Sequence, residues 1–176
     1  MMRETSSVNR KIQMNLTKPI ALFACLVAAG LSVGFAMKPP MSIEGNYVLD
    51  YRELPDGTKV REPEIVGMLT YTKDRRNFNV YWADAGKGSS ISLIAKYTFN
   101  DHEYSEDNIF YAENMAGSPM VYDVKPSHVK SAVVMKDGHA TVKMPLHGEP
   151  TMVFGADGNI VASRKDAFVD HWKKLP

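Results

Sequence analysis

The stretch from Ile43 to Trp82 decides the fold, and it reads IEGNYVLDYRELPDGTKVREPEIVGMLTYTKDRRNFNVYW. Apolar and polar side chains alternate along its first run, with Ile43, Tyr47, Leu49 and Tyr51 on one face and Glu44, Asn46, Asp50 and Arg52 on the other. Because successive side chains of a strand point to opposite sides, this alternation predicts a half-buried β-strand.

Two further runs follow within the same stretch. Pro55-Asp56-Gly57 predicts a turn, since proline presets φ and glycine tolerates positive φ. Residues 65–71 form the second apolar run, and a charged turn is predicted at residues 73–76. The third run places Phe78, Val80 and Trp82 on one face. The three runs together predict an antiparallel meander.

The remaining chain repeats the same device. Further strands are predicted over residues 89–100, 103–112, 120–124, 129–136, 139–144, 151–154 and 160–163. The runs at residues 129–136 and 139–144 flank Asp137-Gly138, which is a strong hairpin signal. Short connections without a long crossover favour an all-β, antiparallel up-and-down β-barrel over residues 43–176, because closure removes exposed strand edges.

The C-terminus carries a different pattern. Asp166 is suited to cap a short helix in which Phe168, Val169 and Trp172 share one face. A terminal extended segment is the alternative.

The alternation also predicts which side chains of the barrel strands point inward. The expected inward residues are Tyr47, Leu49, Leu69, Phe78, Leu93 and Tyr97, and the expected outward residues are Arg52, Asn79 and Lys96.

The N-terminus reads as a targeting segment. Residues 1–18 contain four basic side chains and one acidic side chain, and residues 19–37 carry no charge. A basic region before an apolar helix is typical of a secretory signal, here residues 1–36, with a cleavage site after Gly34-Phe35-Ala36. An uncleaved membrane anchor is the alternative, since the run is almost long enough to cross a bilayer. Both interpretations predict export of the globular part, to a periplasmic or secreted location after cleavage or anchored to the membrane without it.

Composition excludes several classes of protein. The chain holds 21 basic and 20 acidic residues, so no basic surface predicts nucleic-acid binding. Cys25 is the only cysteine and lies in the apolar segment, so residues 43–176 cannot form a disulfide framework. A lipoprotein-type role for Cys25 is disfavoured because the apolar run continues past it.

The opening of the barrel region also resembles a known family. The residues Ile43-Glu44-Gly45-Asn46-Tyr47-Val48-Leu49, then Asp56-Gly57-Thr58, then Val66-Gly67-Met68-Leu69-Thr70-Tyr71-Thr72 are similar to the motifs of the bacterial lipocalin-like domain family. Tyr47 stands where lipocalins usually have tryptophan. The resemblance runs to about Arg164 and implies a calycin-type barrel with, more loosely, a small apolar ligand.

Seven aromatic residues on the apolar faces are the candidate ligand-binding residues: Tyr47, Tyr51, Tyr71, Phe78, Trp82, Tyr97 and Phe99. Ligand cavities are largely aromatic and apolar, so these side chains are interpreted either as a cavity lining or as a packed core. Trp82 is the best candidate for a contact at the mouth, because residues 83–88 form a glycine-rich loop directly after it.

Motifs for catalysis, metals and cofactors are missing from the sequence. The five histidines have no metal-ligand spacing, and no nucleophile elbow or phosphate-binding loop is present. The carboxylates Glu103, Glu106, Asp107 and Glu113 are interpreted as a solvated edge. We therefore predict no catalytic residues, no metal and no cofactor, and a protein that binds or shields a small hydrophobic ligand in the cell envelope. Alternatives are a ligand-free structural protein and, third, an enzyme that uses the barrel cavity.

Overall fold

The computed structural model describes residues 41–84 and 86–176, and this part of the chain is entirely β. Its strands are β1 (Gly45–Glu53), β2 (Lys59–Val60), β3 (Ile65–Tyr71), β4 (Arg75–Asp84), β5 (Lys87–Phe99), β6 (Glu103–Asn114), β7 (Val121–Asp123), β8 (His128–Lys136), β9 (His139–Lys143), β10 (Thr151–Phe154), β11 (Ile160–Arg164) and β12 (Phe168–Lys174). The predicted signal or anchor, residues 1–36, lies outside the described residues.

Ten of these strands close into an antiparallel barrel. The order β1-β3-β4-β5-β6-β8-β9-β10-β11-β12 follows the chain, and β12 pairs back onto β1. The short strands β2 and β7 add to β1 and β6. The predicted all-β, antiparallel up-and-down barrel is therefore confirmed. Within the described ranges no helix is long and apolar enough to cross a membrane.

The predicted C-terminal helix is wrong, because residues 168–174 form the strand that closes the barrel. Asp166 has a φ of 57° and lies in the β11–β12 turn. The i, i+1, i+4 spacing of Phe168, Val169 and Trp172 suggested a helix. The true period is two, since Asp170 and Trp172 are the buried residues of β12. Because the inward residue Asp170 is charged, the apolar–polar alternation typical of a strand is absent from this sequence.

A bulge in β1 reverses the predicted orientation of Arg52. Leu49 lies opposite Trp172 and Tyr51 opposite His171, so Asp50 is an extra residue on the β1 side. One extra residue exchanges the two faces of a strand beyond that point. Arg52 is therefore buried and Tyr51 faces outward, whereas the sequence predicted the opposite.

A second bulge lies in β6. Ile94 pairs with Phe110 and Ala95 pairs with Asn108, which leaves Ile109 without a partner in β5 and exposed. This extra residue explains the poor alternation of the β6 sequence. It allows Tyr104, Glu106 and Asn108 before the bulge, and Tyr111 after it, to be buried.

The barrel interior has two unlike halves. The half below the β3–β4, β5–β6, β8–β9 and β10–β11 turns, named here the aromatic layer, is packed with Tyr47, Tyr71, Tyr97, Tyr104 and Phe154. Tyr71 lies at its centre, with its ring 5.0 Å from that of Tyr97 and 5.8 Å from that of Phe154, both edge-to-face. Edge-to-face pairs of this kind add stability beyond simple burial.

The opposite half has an uneven wall. Strands β4, β5 and β6 are long, with 10, 13 and 12 residues, whereas β9, β10 and β11 have 5, 4 and 5. Residues 144–150, named here the β9–β10 loop, follow the end of β9, and the side chain of Leu146 packs with Leu93 and Tyr111 in the second core cluster. This half of the barrel therefore takes its lining partly from a loop.

Candidate functional site

A cavity of about 190 Å³ lies in the barrel half opposite the aromatic layer. Its apolar wall comes from β4 and β12 above all, with Phe78, Val80 and Trp82 from β4 and Phe168 and Trp172 from β12. Alternate residues of β4 share the inward face, so these side chains line about 13 Å of the strand at roughly 3.3 Å per residue. For comparison, an engineered protein cavity of about 150 Å³ holds benzene.

Arg52 and Asp170 form one buried ion pair at the cavity wall. The Nε of Arg52 donates to Oδ1 of Asp170 at 2.6 Å, and Nη2 donates to Oδ2 at 2.8 Å. The Arg52 guanidinium also lies 4.0 Å from the ring centroid of Phe168 and 5.3 Å from that of Trp82. Aromatic faces attract a cation, so this arginine is held by charge and by stacking together.

Arg76 forms a second buried ionic group with two carboxylates. Its Nη1 donates to Oε1 of Glu106 and to Oε2 of Glu149, both at 2.9 Å, and its Nη2 donates to Oε1 of Glu149 at 2.6 Å. The Tyr104 hydroxyl donates to the same Oε1 of Glu106 at 2.5 Å. Arg76 and Glu106 are almost fully buried. This group lies where the aromatic layer meets the cavity, since Arg76 pairs with Tyr71 across β3 and β4.

The β9–β10 loop is fixed to the barrel wall at three points. Glu149 binds Arg76, the Gly148 carbonyl accepts a hydrogen bond from Arg164, and His147 stacks on Tyr111 with the ring centroids 3.7 Å apart. His147 and Gly148 both have positive φ, which lets the backbone turn sharply here. The loop therefore adds an imidazole and a carboxylate to the cavity wall.

Burial governs the ionisation of the carboxylates. Desolvation raises the pKa of Glu106, against the opposing effects of Arg76 and the Tyr104 hydroxyl, and the charge of Glu149 adds to the increase. Desolvation also raises the pKa of Asp170, which Arg52 partly offsets. Both wall carboxylates, Glu149 and Asp170, are engaged in short bonds to arginine. General acid–base catalysis needs a carboxyl group free to reach a substrate proton, and both of these carboxylates are instead held by arginine side chains.

Three buried polar atoms have no hydrogen-bond partner among the described residues: Nε of Arg76, Oε2 of Glu106 and Nε1 of Trp172. Arg76 and Trp172 line the cavity. A buried donor without a partner is costly, and native structures contain few of them. All three atoms are sealed within the packed side chains of the barrel interior, away from solvent and from the cavity space.

The structure distributes the seven sequence-predicted site residues over three places. Phe78 and Trp82 line the cavity. Tyr47, Tyr71 and Tyr97 are buried in the aromatic layer, and Phe99 packs against it. Tyr51 lies on the outer wall, where its ring stacks on that of His171 at 4.2 Å. The cavity lining thus brings together two of the seven.

Sequence reasoning missed the charged residues of the interior, which are Arg52, Arg76, Glu106, Glu149 and Asp170. Residues 73–76 were interpreted as a charged turn, but β4 begins at Arg75, and Arg76 shares the inward face of Phe78 and Val80. The interpretation of Glu106 as solvated is wrong, since its exposure is 0%. The sequence did offer one signal for Arg76. It lies two residues before Phe78 on the same strand, and residues two apart share a face, so this spacing indicates an inward position for Arg76.

The described residues contain no group of three or more histidine, cysteine, aspartate or glutamate side chains placed to hold a metal ion. Comparison of the chain with protein-family models, with curated proteins and with solved structures gives no match.

Proposed function

We propose that this protein is an exported, lipocalin-like barrel that binds a small, mainly apolar molecule inside its cavity in the cell envelope. The observation that carries the binding proposal is the cavity of about 190 Å³ with Phe78, Trp82, Phe168 and Trp172 in its wall. Ligand sites are concave and largely aromatic, with a few polar groups that fix orientation. The ionic groups around Arg52 and Arg76 supply that polar part.

The cavity sets the size of the ligand. Its volume suits a single substituted ring or a small bicyclic molecule rather than a long acyl chain, by comparison with the cavity of about 150 Å³ that holds benzene. A flat ring also matches a wall built of aromatic side chains and methionines, since sulfur–aromatic and ring–ring contacts both favour planar partners.

Binding can be tested by thermal stabilisation and by extraction of the exported protein. A ligand at one hundred times its Kd stabilises the native state by about 2.7 kcal/mol, so Tm should rise with ligand concentration. Organic extracts of protein from the envelope fraction, analysed by mass spectrometry, should contain one enriched small molecule. Tryptophan emission should change on binding, because Trp82 and Trp172 both line the cavity.

A variant with a filled cavity is the matched control. Ala162 lines the cavity and is buried, so Ala162→Leu places additional atoms inside it. This variant should fold and lose the ligand, while the surface variant Lys96→Ala should keep it. Equal ligand content in wild type and Ala162→Leu would count against binding in this cavity and in favour of the ligand-free structural protein.

The export proposal rests on residues 1–37 and has its own test. The intact mass of protein from the envelope fraction should correspond to a chain that begins near Met37. A full-length mass would favour the membrane anchor, and a diacylglyceryl adduct on Cys25 would overturn both forms of the proposal.

A further inference from the structure

One side of the outer barrel wall carries no charged side chain. Strand pairing places its outward residues in three rows that cross β1, β3, β4, β5, β6 and β7. The first row is Asn46, Thr70, Asn77, Ile94 and Phe110, the second is Val48, Met68, Asn79, Ser92, Ala112 and Tyr122, and the third is Val66, Tyr81, Ser90 and Asn114. These fifteen residues are named here the neutral face. Charged residues make up 23% of the chain and belong mainly on surfaces, so their absence from this set is unusual.

Charged side chains border the neutral face. Arg75, Lys96 and Asp107 pair with one another in the next row beyond Asn77 and Ile94. The centre of a protein–protein interface is depleted in charged residues, and its rim is polar. The neutral face and its border therefore have the composition of an interface.

The polar side chains of the neutral face bond to one another. Four hydrogen bonds of 2.7–2.9 Å join them, in which Asn79 donates to Asn77, Ser92 to Asn79, Thr70 to Asn46 and Ser90 to Asn114. Side chains seldom pair in this way, since only about 10–15% of protein hydrogen bonds join two side chains. Polar groups that are already paired lose fewer bonds to water on burial, so a second surface covers them at low cost.

The apolar side chains of the neutral face are exposed to solvent. They include Met68, Tyr81, Ile94 and Tyr122. The centre of the face is a shallow groove whose lining contains Met68, Tyr81 and Ser90, so a facing surface finds a recess for its side chains. Contiguous exposed apolar groups on a soluble domain mark interaction sites.

A second copy of this chain fits the neutral face in size and in charge. Each position on one side of a sheet covers about 4.8 by 6.7 Å, so the fifteen positions cover about 500 Å² in projection. Protruding side chains add to this area and bring it close to the ~800 Å² that each partner of a standard stable complex buries. A charged partner surface would lose hydration without gaining an opposite charge, whereas an identical neutral face buries no charge.

A lipid surface fits the neutral face less well. The amides of Asn77 and Asn79 and the hydroxyl of Ser92 lie near its centre, and transfer of such groups into hydrocarbon is costly. The face also lacks the cluster of lysine and arginine side chains that draws a protein to anionic headgroups.

We propose that this protein forms a symmetric dimer in which the neutral faces of two copies pack sheet against sheet. The same residues of both copies contribute, as a two-fold axis requires. Two sheets packed face to face lie about 10 Å apart with interdigitated side chains, a geometry that suits the exposed Met68, Tyr81 and Ile94. The dimer does not depend on a ligand in the cavity.

Met68→Glu tests the dimer, and Val134→Glu on β8 is its matched control. Each variant replaces an exposed apolar strand residue with a carboxylate, since Met68 is 47% exposed and Val134 is 60% exposed. Analytical ultracentrifugation of protein from the envelope fraction should give twice the mass of one chain for the wild type. Met68→Glu should raise the dimer Kd by about 10-fold or more, because symmetry brings two carboxylates into one interface. Val134→Glu should change it by less than about 3-fold.

Methyl labelling of methionine gives a second measurement that needs no variant. The nuclear magnetic resonance signal of the Met68 methyl group should shift as the wild type dissociates on dilution. The signal of Met135, which is also exposed but lies on β8, should stay in place.

Three results overturn the proposal. The first is a wild type that sediments as a monomer up to its highest soluble concentration, and the second is a monomer that binds phosphatidylcholine vesicles, because lipid then covers the face. The third is an equal Kd for Met68→Glu and Val134→Glu, as a dimer held through residues 19–37 or through another surface would show. Near-ultraviolet circular dichroism verifies the fold of each variant. Should Met68→Glu fail to fold, an unshifted Met68 methyl signal in the dissociating wild type overturns the proposal and a shifted one supports it.

Discussion

Arg52 and Asp170 lie directly opposite each other across the β1–β12 seam, although 118 residues separate them in the chain. Two hydrogen bonds of 2.6 and 2.8 Å join their side chains, which are 11% and 5% exposed. The first and last strands of the barrel are therefore joined by a buried ion pair as well as by backbone hydrogen bonds.

Asp170→Asn should lower the free energy of unfolding by about 3–5 kcal/mol, because it leaves the Arg52 charge buried and uncompensated. Urea titration measures the change. Lys173→Ala is the matched control in the same seam: Lys173 reaches Asp50 at 3.0 Å, but the lysine side chain is 64% exposed. Its loss should cost less than about 1 kcal/mol. Equal costs for the two variants would show that burial does not set the strength of the seam pair.

Glu106 should make the protein less stable as the pH rises from acidic to neutral values. Its folded-state pKa is raised by burial, so the folded state holds a proton that the unfolded state releases first. The contribution is complete below the ordinary glutamate pKa of about 4.3 and is lost as the pH passes through the higher folded value. Tm measured from pH 4 to 8 in wild type and Glu106→Gln isolates this effect, because glutamine does not titrate. A wild type that gains stability relative to Glu106→Gln with rising pH would contradict the raised pKa.

Leu93→Ala should cost about 2–5 kcal/mol, since Leu93 is fully buried beside Ala95, Tyr111 and Leu146. Lys96→Ala, on the same strand but exposed, should change the free energy of unfolding by less than about 0.5 kcal/mol. Chemical denaturation of both variants measures the difference. Similar midpoints for wild type and Leu93→Ala would show that the β5 register is wrong.

Gly67→Ala should destabilise the barrel by about 1–3 kcal/mol through overpacking against the cavity wall. A Cβ at Gly67 would come within 2.7 Å of the Trp172 ring and 3.1 Å of the Leu49 Cβ, both of which are buried. Gly88→Ala is the control: its Cβ would meet the Tyr81 ring at 2.9 Å, but Tyr81 is exposed and free to move. Tm and near-ultraviolet circular dichroism should change for the first variant only. Equal effects would indicate that β3 tolerates a displaced Trp172.

Alternation predicted the strands wherever the inward face is apolar. In β3, β4 and β5 the inward residues Leu69, Val80 and Leu93 follow the expected period of two, and the structure buries all three. The closed barrel followed from short connections and from the cost of exposed strand edges. This part of the fold depends only on local residue order, which the sequence displays directly.

The candidate site escaped prediction because its polar residues violate the rule that the interior is apolar. Arg52, Arg76, Glu106 and Asp170 all point inward in ion pairs whose partners lie between 30 and 118 residues apart in sequence. Each charge is tolerated only because of its distant partner, so none can be assigned to the interior from its neighbours alone. The bulges at Asp50 and Ile109 add a second cause, since each extra residue exchanges the inward and outward positions that follow it.

The aromatic layer closes one end of the barrel interior, so a ligand that binds as we propose would enter and leave the cavity at the other end. The β9–β10 loop lies in the cavity wall and is held by Arg76 and Arg164, so its opening would set the rates of both entry and release. Slower opening of this loop would prolong retention of the ligand without a new contact to it, because association and release would slow together. In such a barrel, the contacts in the cavity would set the affinity for the ligand, whereas the loop would set the rate of its release.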